Sequence, residues 1–204
     1  MAGTMPHAIF VETDVDGSSG CAAYAAELPG CAVFAATDEE AASAMPRRVA
    51  RFTAWLRDRG EQAPSFVGDN WYEVERAAAQ HGPDGRQRAA FSLDELPPSD
   101  EEFARYLRWL ELAREELAEA IDATGQVPAA AEAIATQDAV FTRELGGPAP
   151  PTEGDPLDRL YSARDALTDA LSAVGPSAAG VRRALRLAIA DDLRLADELR
   201  GEAG

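Results

Sequence analysis

The sequence predicts an α+β protein, in which a small antiparallel sheet with one helix precedes an all-α four-helix bundle. Short apolar runs separated by turn signals fill the first 36 residues, as expected for a β-meander. Beyond residue 99, apolar residues recur at spacings of three and four, which is typical of amphipathic helices. The pair Pro97-Pro98 lies between these two patterns. We therefore assign residues 1–96 to an α+β domain and residues 97–204 to a helical bundle.

Three apolar runs near the N-terminus predict the first three strands. They cover residues 8–12, 21–27 and 31–36. The turn signals Asp14-Val15-Asp16-Gly17 and Leu28-Pro29-Gly30 separate them, and such short connections favour antiparallel pairing. The runs therefore predict an antiparallel meander.

A helix follows the meander. Residues 37–40 read Thr-Asp-Glu-Glu and match a capping box, in which the first and fourth side chains satisfy backbone N–H groups at a helix start. The helical spacing continues to Gly60, a residue suited to the left-handed conformation of a C-terminal cap. Pro46 predicts a kink within this helix.

Residues 66–93 have the pattern of a second hairpin. Phe66-Val67 and the stretch 71–75 are rich in strand-forming residues, residues 82–85 read Gly-Pro-Asp-Gly, and residues 88–93 are mostly apolar. We expect one strand on each side of that turn.

Four amphipathic helices are predicted in the second domain. Ser99-Asp100-Glu101-Glu102 forms another capping box, and Gly125 and Gly175-Pro176 mark helix ends. A four-helix bundle is the simplest arrangement in which four such helices each bury an apolar stripe. The predicted helices cover residues 99–125, 129–145, 155–174 and 180–200.

The charge of the chain excludes several classes of partner. There are 36 acidic residues against 19 basic ones, every basic residue is arginine, and the formal charge is −17. Nucleic-acid affinity comes largely from cationic groups on the protein, and anionic membranes attract the same groups. We therefore expect neither nucleic acid nor membrane as a partner.

Compartment and redox state follow from two further absences in the sequence. No stretch approaches the roughly 20 apolar residues that span a bilayer, and residues 1–7 do not resemble a secretory signal. Cys21 and Cys31 begin two successive strands, where antiparallel pairing would not place them opposite each other. We expect a cytoplasmic protein without a structural disulfide.

Residues 8–60 resemble the HicB-like family. The shared features are the acidic turn with Gly17, the stretch Glu27-Leu28-Pro29-Gly30-Cys31 after the second strand, and Thr37-Asp38-Glu39-Glu40-Ala41 at the helix start. The resemblance implies a ββαβ-type fold and, in the best-known members, neutralisation of a small RNA-cleaving toxin. Such antitoxins usually carry a DNA-binding segment next, whereas here an acidic helical domain follows.

The helical domain resembles a DinB-like four-helix bundle. That family typically holds a metal with one histidine on the second helix and an H-x-x-x-H pair on the last. The matching stretches 133–138 and 190–195 place Ala133, Ala190 and Arg194 at those three positions. The resemblance therefore implies a bundle without its histidine ligands, and no catalytic role is transferred.

Metal candidates are few, since His7 and His81 are the only histidines and neither lies in a ligand-like spacing. We therefore predict no metal and no cofactor. An all-carboxylate site involving Asp138 and Asp192 is the alternative, because hard cations accept oxygen ligands.

Asp191 and Asp192 are adjacent on the last helix, so we do not expect both side chains to point inward. Asp192 is the better candidate for an inward polar group, because it lies four residues after Ala188. An Arg164 partner on the third helix would explain an inward Asp192 equally well.

Three aromatic residues and the two cysteines complete the candidates. Trp71, Tyr72 and Trp109 are expected in domain cores, with a pocket or a contact between domains as the alternative reading. Cys21 and Cys31 lack a neighbouring base in the sequence, so we predict no catalytic residue.

The function predicted from these observations is that of a noncatalytic binding or scaffolding protein, with another protein or a second copy of the chain as partner. An exposed edge strand could mediate that contact. Two alternatives remain open. One is an antitoxin-like protein that neutralises a small basic RNase, and the other is a DinB-like thiol-dependent transferase or hydrolase with carboxylate metal ligands.

Overall fold

The computed structural model describes residues 7–15, 20–64, 71–79 and 88–201. The fold is α+β, as predicted: a four-stranded sheet and five α-helices are present in these ranges. The chain divides into two compact units, Met1–Leu93 and Asp94–Gly204. All the strands described lie in the first unit, and four of the helices lie in the second.

The first unit contains strands on both sides of one helix. Its elements are β1 (His7–Val15), β2 (Gly20–Ala25), β3 (Ala32–Ala35), α1 (Asp38–Asp58) and β4 (Trp71–Ala78). The sheet order is β3-β2-β1-β4, with β1 antiparallel to β2 and β2 antiparallel to β3. The predicted three-stranded meander followed by a helix is therefore confirmed.

The predicted second hairpin is wrong in the part of residues 66–93 that the structure describes. β4 pairs with β1 in parallel, so α1 forms a crossover connection and no antiparallel partner follows β4 among the described residues. Residues 88–91 have no regular secondary structure, and Ser92–Glu95 forms a short 3-10 helix. Phe66-Val67 and the turn at residues 82–85 lie outside the described residues.

Helix α1 packs against strands β1, β2 and β3. Its buried residues recur at helical spacing and include Met45, Val49, Phe52 and Leu56. The Thr37 hydroxyl accepts a hydrogen bond from the Glu40 N–H, as the capping box predicts. The helix continues through Pro46 to Asp58, and Gly60 adopts φ of 80° just beyond it.

The second unit consists, in the described ranges, of α2 (Asp100–Thr124), α3 (Ala131–Glu144), α4 (Pro156–Val174) and α5 (Val181–Arg200). These bounds agree with the predicted helices to within two residues at each end. One apolar cluster receives side chains from all four helices, namely Leu117, Ile121, Ala131, Ile134, Leu160 and Leu195. Within the described ranges, no helix combines the length and apolar character needed to cross a membrane.

Helix α5 is enclosed on nearly every side. Between residues 181 and 193, every residue is buried except the half-buried Arg183. Helices of a bundle ordinarily bury one stripe and leave charged residues on the opposite face. Here four charged residues of α5 are buried as well, namely Arg182, Arg186, Asp191 and Asp192, and they need partners inside the unit.

Candidate functional site

The core of the second unit contains an arginine between two aspartates. Arg164 on α4 donates from one terminal nitrogen to Asp138 Oδ1 on α3, at 2.8 Å. Its other terminal nitrogen donates to Asp192 Oδ1 on α5, at 2.7 Å, and to the Ala188 carbonyl at 3.4 Å. All three charged side chains are at most 2% exposed. The structure thus shows the pairing of Asp192 with Arg164 that the sequence analysis offered as an alternative explanation of an inward Asp192.

Helical spacing places these charges in the core. Arg164 lies four residues after Leu160 and three before Leu167, both of which are buried. Asp138 lies four residues after Ile134, also buried. Because positions three and four apart share a helix face, each charged residue occupies a core position of its helix.

A second carboxylate of α5 also faces the interior. Asp191 Oδ2 accepts a hydrogen bond from the Gln137 amide at 3.1 Å, and its other oxygen lies 3.7 Å from Arg194. Asp191 and Asp192 are 0% and 1% exposed, so the expectation that they would not both point inward is wrong. The physical reason is that α5 is enclosed on nearly every side, so adjacent residues can each reach a different neighbouring helix. We call Gln137, Asp138, Arg164, Asp191 and Asp192 the buried charge cluster.

Burial and charge have opposite effects within the cluster. Burial alone would lower the pKa of the Arg164 guanidinium, but the charges of Asp138 and Asp192 raise its pKa above the ordinary value. Burial raises the pKa of the Asp192 carboxyl, and the nearby guanidinium only partly offsets this effect. Arg164 therefore remains a cation, and Asp192 ionises less readily than an exposed aspartate.

The cluster does not fit a divalent cation, because the guanidinium of Arg164 already lies between Asp138 and Asp192. Within the described ranges, no three His, Cys, Asp or Glu side chains come together as a group that could hold a metal. Of the positions matched to the DinB-like histidines, Ala133 is exposed and Ala190 is buried. His7 lies beside Trp71 with ring centroids 4.7 Å apart, and His81 is outside the described residues.

The three aromatic candidates have different surroundings. Trp109 is fully buried in α2, with the Tyr106 ring centroid at 5.4 Å and the Arg105 guanidinium 5.7 Å from its own centroid. Trp71 is half-buried on β4, and its neighbour Tyr72 is 45% exposed. Trp109 is thus a core residue, while Tyr72 belongs to the surface of the first unit.

Both cysteines are buried free thiols. Burial raises the pKa of the Cys31 thiol to about 12, and burial also raises the pKa of Cys21. Since the thiolate is the nucleophilic form, neither environment activates the sulfur.

The first unit contains a buried polar cluster that the sequence analysis did not identify. Glu12 on β1 accepts hydrogen bonds from the Tyr24 hydroxyl, at 2.7 Å, and from the Ala89 N–H. Arg88 donates to the Tyr24 oxygen at 2.7 Å. Glu12 is 0% exposed and Arg88 is 3% exposed. The available signal was the strand alternation, which puts Glu12 on the same sheet face as Phe10.

A third buried ion pair was also missed, within the second unit. Arg186 on α5 binds Asp94 through two hydrogen bonds, of 3.1 and 2.6 Å. Arg182, one turn earlier, donates to the Leu96 carbonyl at 2.9 Å. These two arginines fix residues 94–96 to α5. No sequence pattern marked Asp94 as buried, because it lies in a short 3-10 helix at the end of the first predicted domain and its partner lies on the last helix of the chain.

Comparisons with known proteins leave the family of the chain open: no family model, curated protein or solved structure matches it.

Proposed function

We propose that this protein is a noncatalytic binding or scaffolding protein, formed by a HicB-like sheet domain and a DinB-like bundle that works without a metal. The observation that carries the proposal is the position of Arg164 between Asp138 and Asp192. A guanidinium there uses the inward carboxylates for an internal ion pair, so they are not available as metal ligands or as a general base. The raised pKa of both buried cysteines further argues against nucleophilic catalysis.

The order of elements in the first unit supports the HicB-like part of the proposal. Three antiparallel strands, one helix and a fourth strand follow one another along the chain. The resemblance implies this kind of small sheet domain, whose role in the family is to hold another protein. The stretch Glu27–Cys31, which carries the resemblance, forms the turn between β2 and β3.

Charge indicates the chemistry of the partner. The chain carries −17 overall, and several of its arginines are turned inward to buried acids. An acidic surface favours association with a basic protein and accelerates their encounter at low salt. We therefore propose a basic protein as the partner, with a second copy of the chain as the competing outcome.

β4 offers a contact surface on the first unit. It lies at the edge of the sheet among the described strands, and Tyr72 and Val74 are 45% and 48% exposed. The register shift next to Val74 and the charges of Glu73 and Arg76 oppose simple strand addition. We therefore propose that the partner contacts the exposed side chains of Tyr72 and Val74 and does not pair with the backbone of β4.

Native mass spectrometry of the protein purified from its own cells without chelator tests the proposal. We expect a metal-free assembly that contains a basic protein chain. The variant Tyr72→Ser/Val74→Ser should lose that chain, whereas Val127→Ser, which changes a 47% exposed residue of the second unit, should keep it. A monomer without any partner, or a divalent metal at full occupancy, would contradict the proposal.

An antitoxin-like role is the second candidate, and the acidity of the first unit favours it. Residues 1–93 contain 13 acidic residues and 8 arginines. This charge suits a small basic RNase as the bound protein. The antitoxin-like role is supported if the copurified chain cleaves RNA by itself and if this cleavage stops when the acidic protein is added. A basic partner without RNase activity would contradict the antitoxin-like role and support the scaffolding role.

A further inference from the structure

Two buried ion pairs of the second unit differ in how the arginine meets the carboxylate. Arg186 donates from Nε and from one terminal nitrogen to the two oxygens of Asp94, at 3.1 and 2.6 Å. Arg164 donates to Asp192 from a terminal nitrogen alone, and only to Oδ1, at 2.7 Å. The guanidinium fork can bind both oxygens of a carboxylate. The Asp94 pair uses this geometry in full, and the Asp192 pair uses half of it.

The other half of the Arg164–Asp192 pair is unsatisfied. In the part of the chain that the structure describes, Arg164 Nε and Asp192 Oδ2 are buried and make no hydrogen bond. Each atom shares a carbon with one of the two atoms that form the 2.7 Å contact, so a donor and an acceptor flank that contact. Buried polar atoms are nearly always bonded to protein or to ordered water, because their hydration is otherwise lost without replacement.

The guanidinium of Arg164 is held by further contacts. Its second terminal nitrogen donates to Asp138 Oδ1 at 2.8 Å, and the nitrogen that reaches Asp192 also lies 3.4 Å from the Ala188 carbonyl. Turning the guanidinium to bring Nε onto Asp192 Oδ2 would disturb these contacts. A small ligand between Nε and Oδ2 would leave them in place.

We propose that the buried charge cluster binds one water molecule, which accepts a hydrogen bond from Arg164 Nε–H and donates one to Asp192 Oδ2. The two atoms select water because it can accept and donate at the same time. A metal cation cannot accept from Nε–H, and an anion without a proton cannot donate to Oδ2. The proposal concerns the core of the second unit and does not depend on the partner protein proposed above.

The second proton of the water also has an acceptor in the cluster. Buried waters typically make about three hydrogen bonds to groups that are otherwise unsatisfied. Gln137 is 3% exposed, and its Oε1 is buried without a hydrogen-bond partner in the described ranges. The cluster therefore presents one unsatisfied donor and two unsatisfied acceptors, which is the complement of a water molecule. Gln137 Oε1 is the acceptor that we assign to the second proton.

A crystal structure of the full-length chain, at a resolution that shows ordered waters, tests the proposal directly. We expect a water oxygen within about 2.5–3.2 Å of both Arg164 Nε and Asp192 Oδ2. The Arg186–Asp94 pair is the internal control, because its two direct bonds leave no place for a bridging water. A direct bond from Arg164 Nε to Asp192 Oδ2 would overturn the proposal. A metal ion at this position, or no density there, would equally overturn it.

NMR spectroscopy of the nitrogen-15-labelled chain gives a second measurement that needs no variant. A water held in the core produces a rotating-frame Overhauser cross-peak between the water signal and a neighbouring N–H proton, and its sign distinguishes it from chemical exchange. We expect this cross-peak at the Nε–H of Arg164 and a much weaker one, or none, at the Nε–H of Arg186. No cross-peak at Arg164, or equal cross-peaks at the two arginines, would contradict the assignment.

Discussion

Arg164 and Asp192 face each other across the core of the second unit, with a nitrogen and an oxygen 2.7 Å apart and neither side chain more than 2% exposed. The same guanidinium also binds Asp138. Three helices are thereby joined by one side chain. Buried ion pairs of this kind add little net stability but are strongly destabilising to break.

Replacing Arg164 should strongly destabilise the second unit. Arg164→Leu leaves Asp138 and Asp192 buried without their cation, and we expect the free energy of unfolding of the second unit to fall by about 3–5 kcal/mol. Thermal unfolding followed by the α-helical circular dichroism signal measures the change. A loss below about 1 kcal/mol, typical of an exposed ion pair, would show that the guanidinium is not buried in solution.

Replacing Arg164, Asp138 and Asp192 together should destabilise the second unit far less than replacing Arg164 alone. We call these three residues the triad. The triple variant Arg164→Leu/Asp138→Leu/Asp192→Leu removes every charge of the triad together, so no uncompensated group remains. We expect the triple variant to be as stable as the wild type or more stable by about 1–4 kcal/mol, as for other buried ion pairs exchanged for apolar residues. The same unfolding measurement applies. A triple variant less stable than Arg164→Leu alone would contradict the electrostatic explanation.

Glu12 should hold residues 88–91 against the sheet. Glu12→Gln removes the ion pair with Arg88, whose Nε lies 3.7 Å from Glu12 Oε1, and weakens the charge-assisted bond from the Ala89 N–H. We expect a loss of about 1–3 kcal/mol in the first unit. Hydrogen exchange at the Ala89 amide is the specific measurement, because that amide donates to Glu12. Exchange as slow as in the wild type would refute this role. Tyr24→Phe should also destabilise the first unit, because it removes the hydroxyl that donates to Glu12 and accepts from Arg88.

The capping box of α2 should depend on pH. The Ser99 N–H donates to the Glu102 carboxylate and holds its pKa below the ordinary value of 4.5. This contribution is present above that value and is lost as pH falls through the folded value. We expect Ser99→Ala to lower stability by about 1 kcal/mol. Acid unfolding curves of wild type and Glu102→Gln should converge at low pH, whereas parallel curves would contradict the account.

The cysteines should be unreactive while the protein is folded. The Cys31 thiol is fully buried with a pKa of about 12, so almost none of it is thiolate at pH 8. Labelling with a thiol reagent at pH 8 should be slow in native buffer and fast in denaturant, for Cys31 more than for Cys21. Rapid native labelling of Cys31 would indicate an accessible, activated thiol and would weaken the noncatalytic interpretation.

Helix positions were predictable from sequence because capping residues and apolar spacing act locally. Ser99 and Gly125 lie at the two ends of α2 with the expected cap geometry. The inward direction of Asp192 followed from the same spacing. The direction of Asp191 did not, because it depends on α5 being enclosed by other helices, which is a property of the packed unit and not of the helix alone.

The sheet was less predictable in its second half. A strand pattern at Trp71–Glu75 fits a hairpin and a crossover equally well, since the choice depends on which existing strand has a free edge. The burial of Glu12 and Asp94 depends on partners 77 and 92 residues away in sequence. Local patterns carry no information about such pairs.

Metal content is the measurement that tests the central claim most directly. The purified full-length protein is incubated with manganese, zinc, magnesium or calcium, passed through a desalting column, and analysed for bound metal. With Arg164 between Asp138 and Asp192, we predict less than a stoichiometric amount of every metal. One metal ion per chain, lost in Asp138→Asn and retained in Asp165→Asn, would contradict the assignment of the bundle as a metal-free binding module.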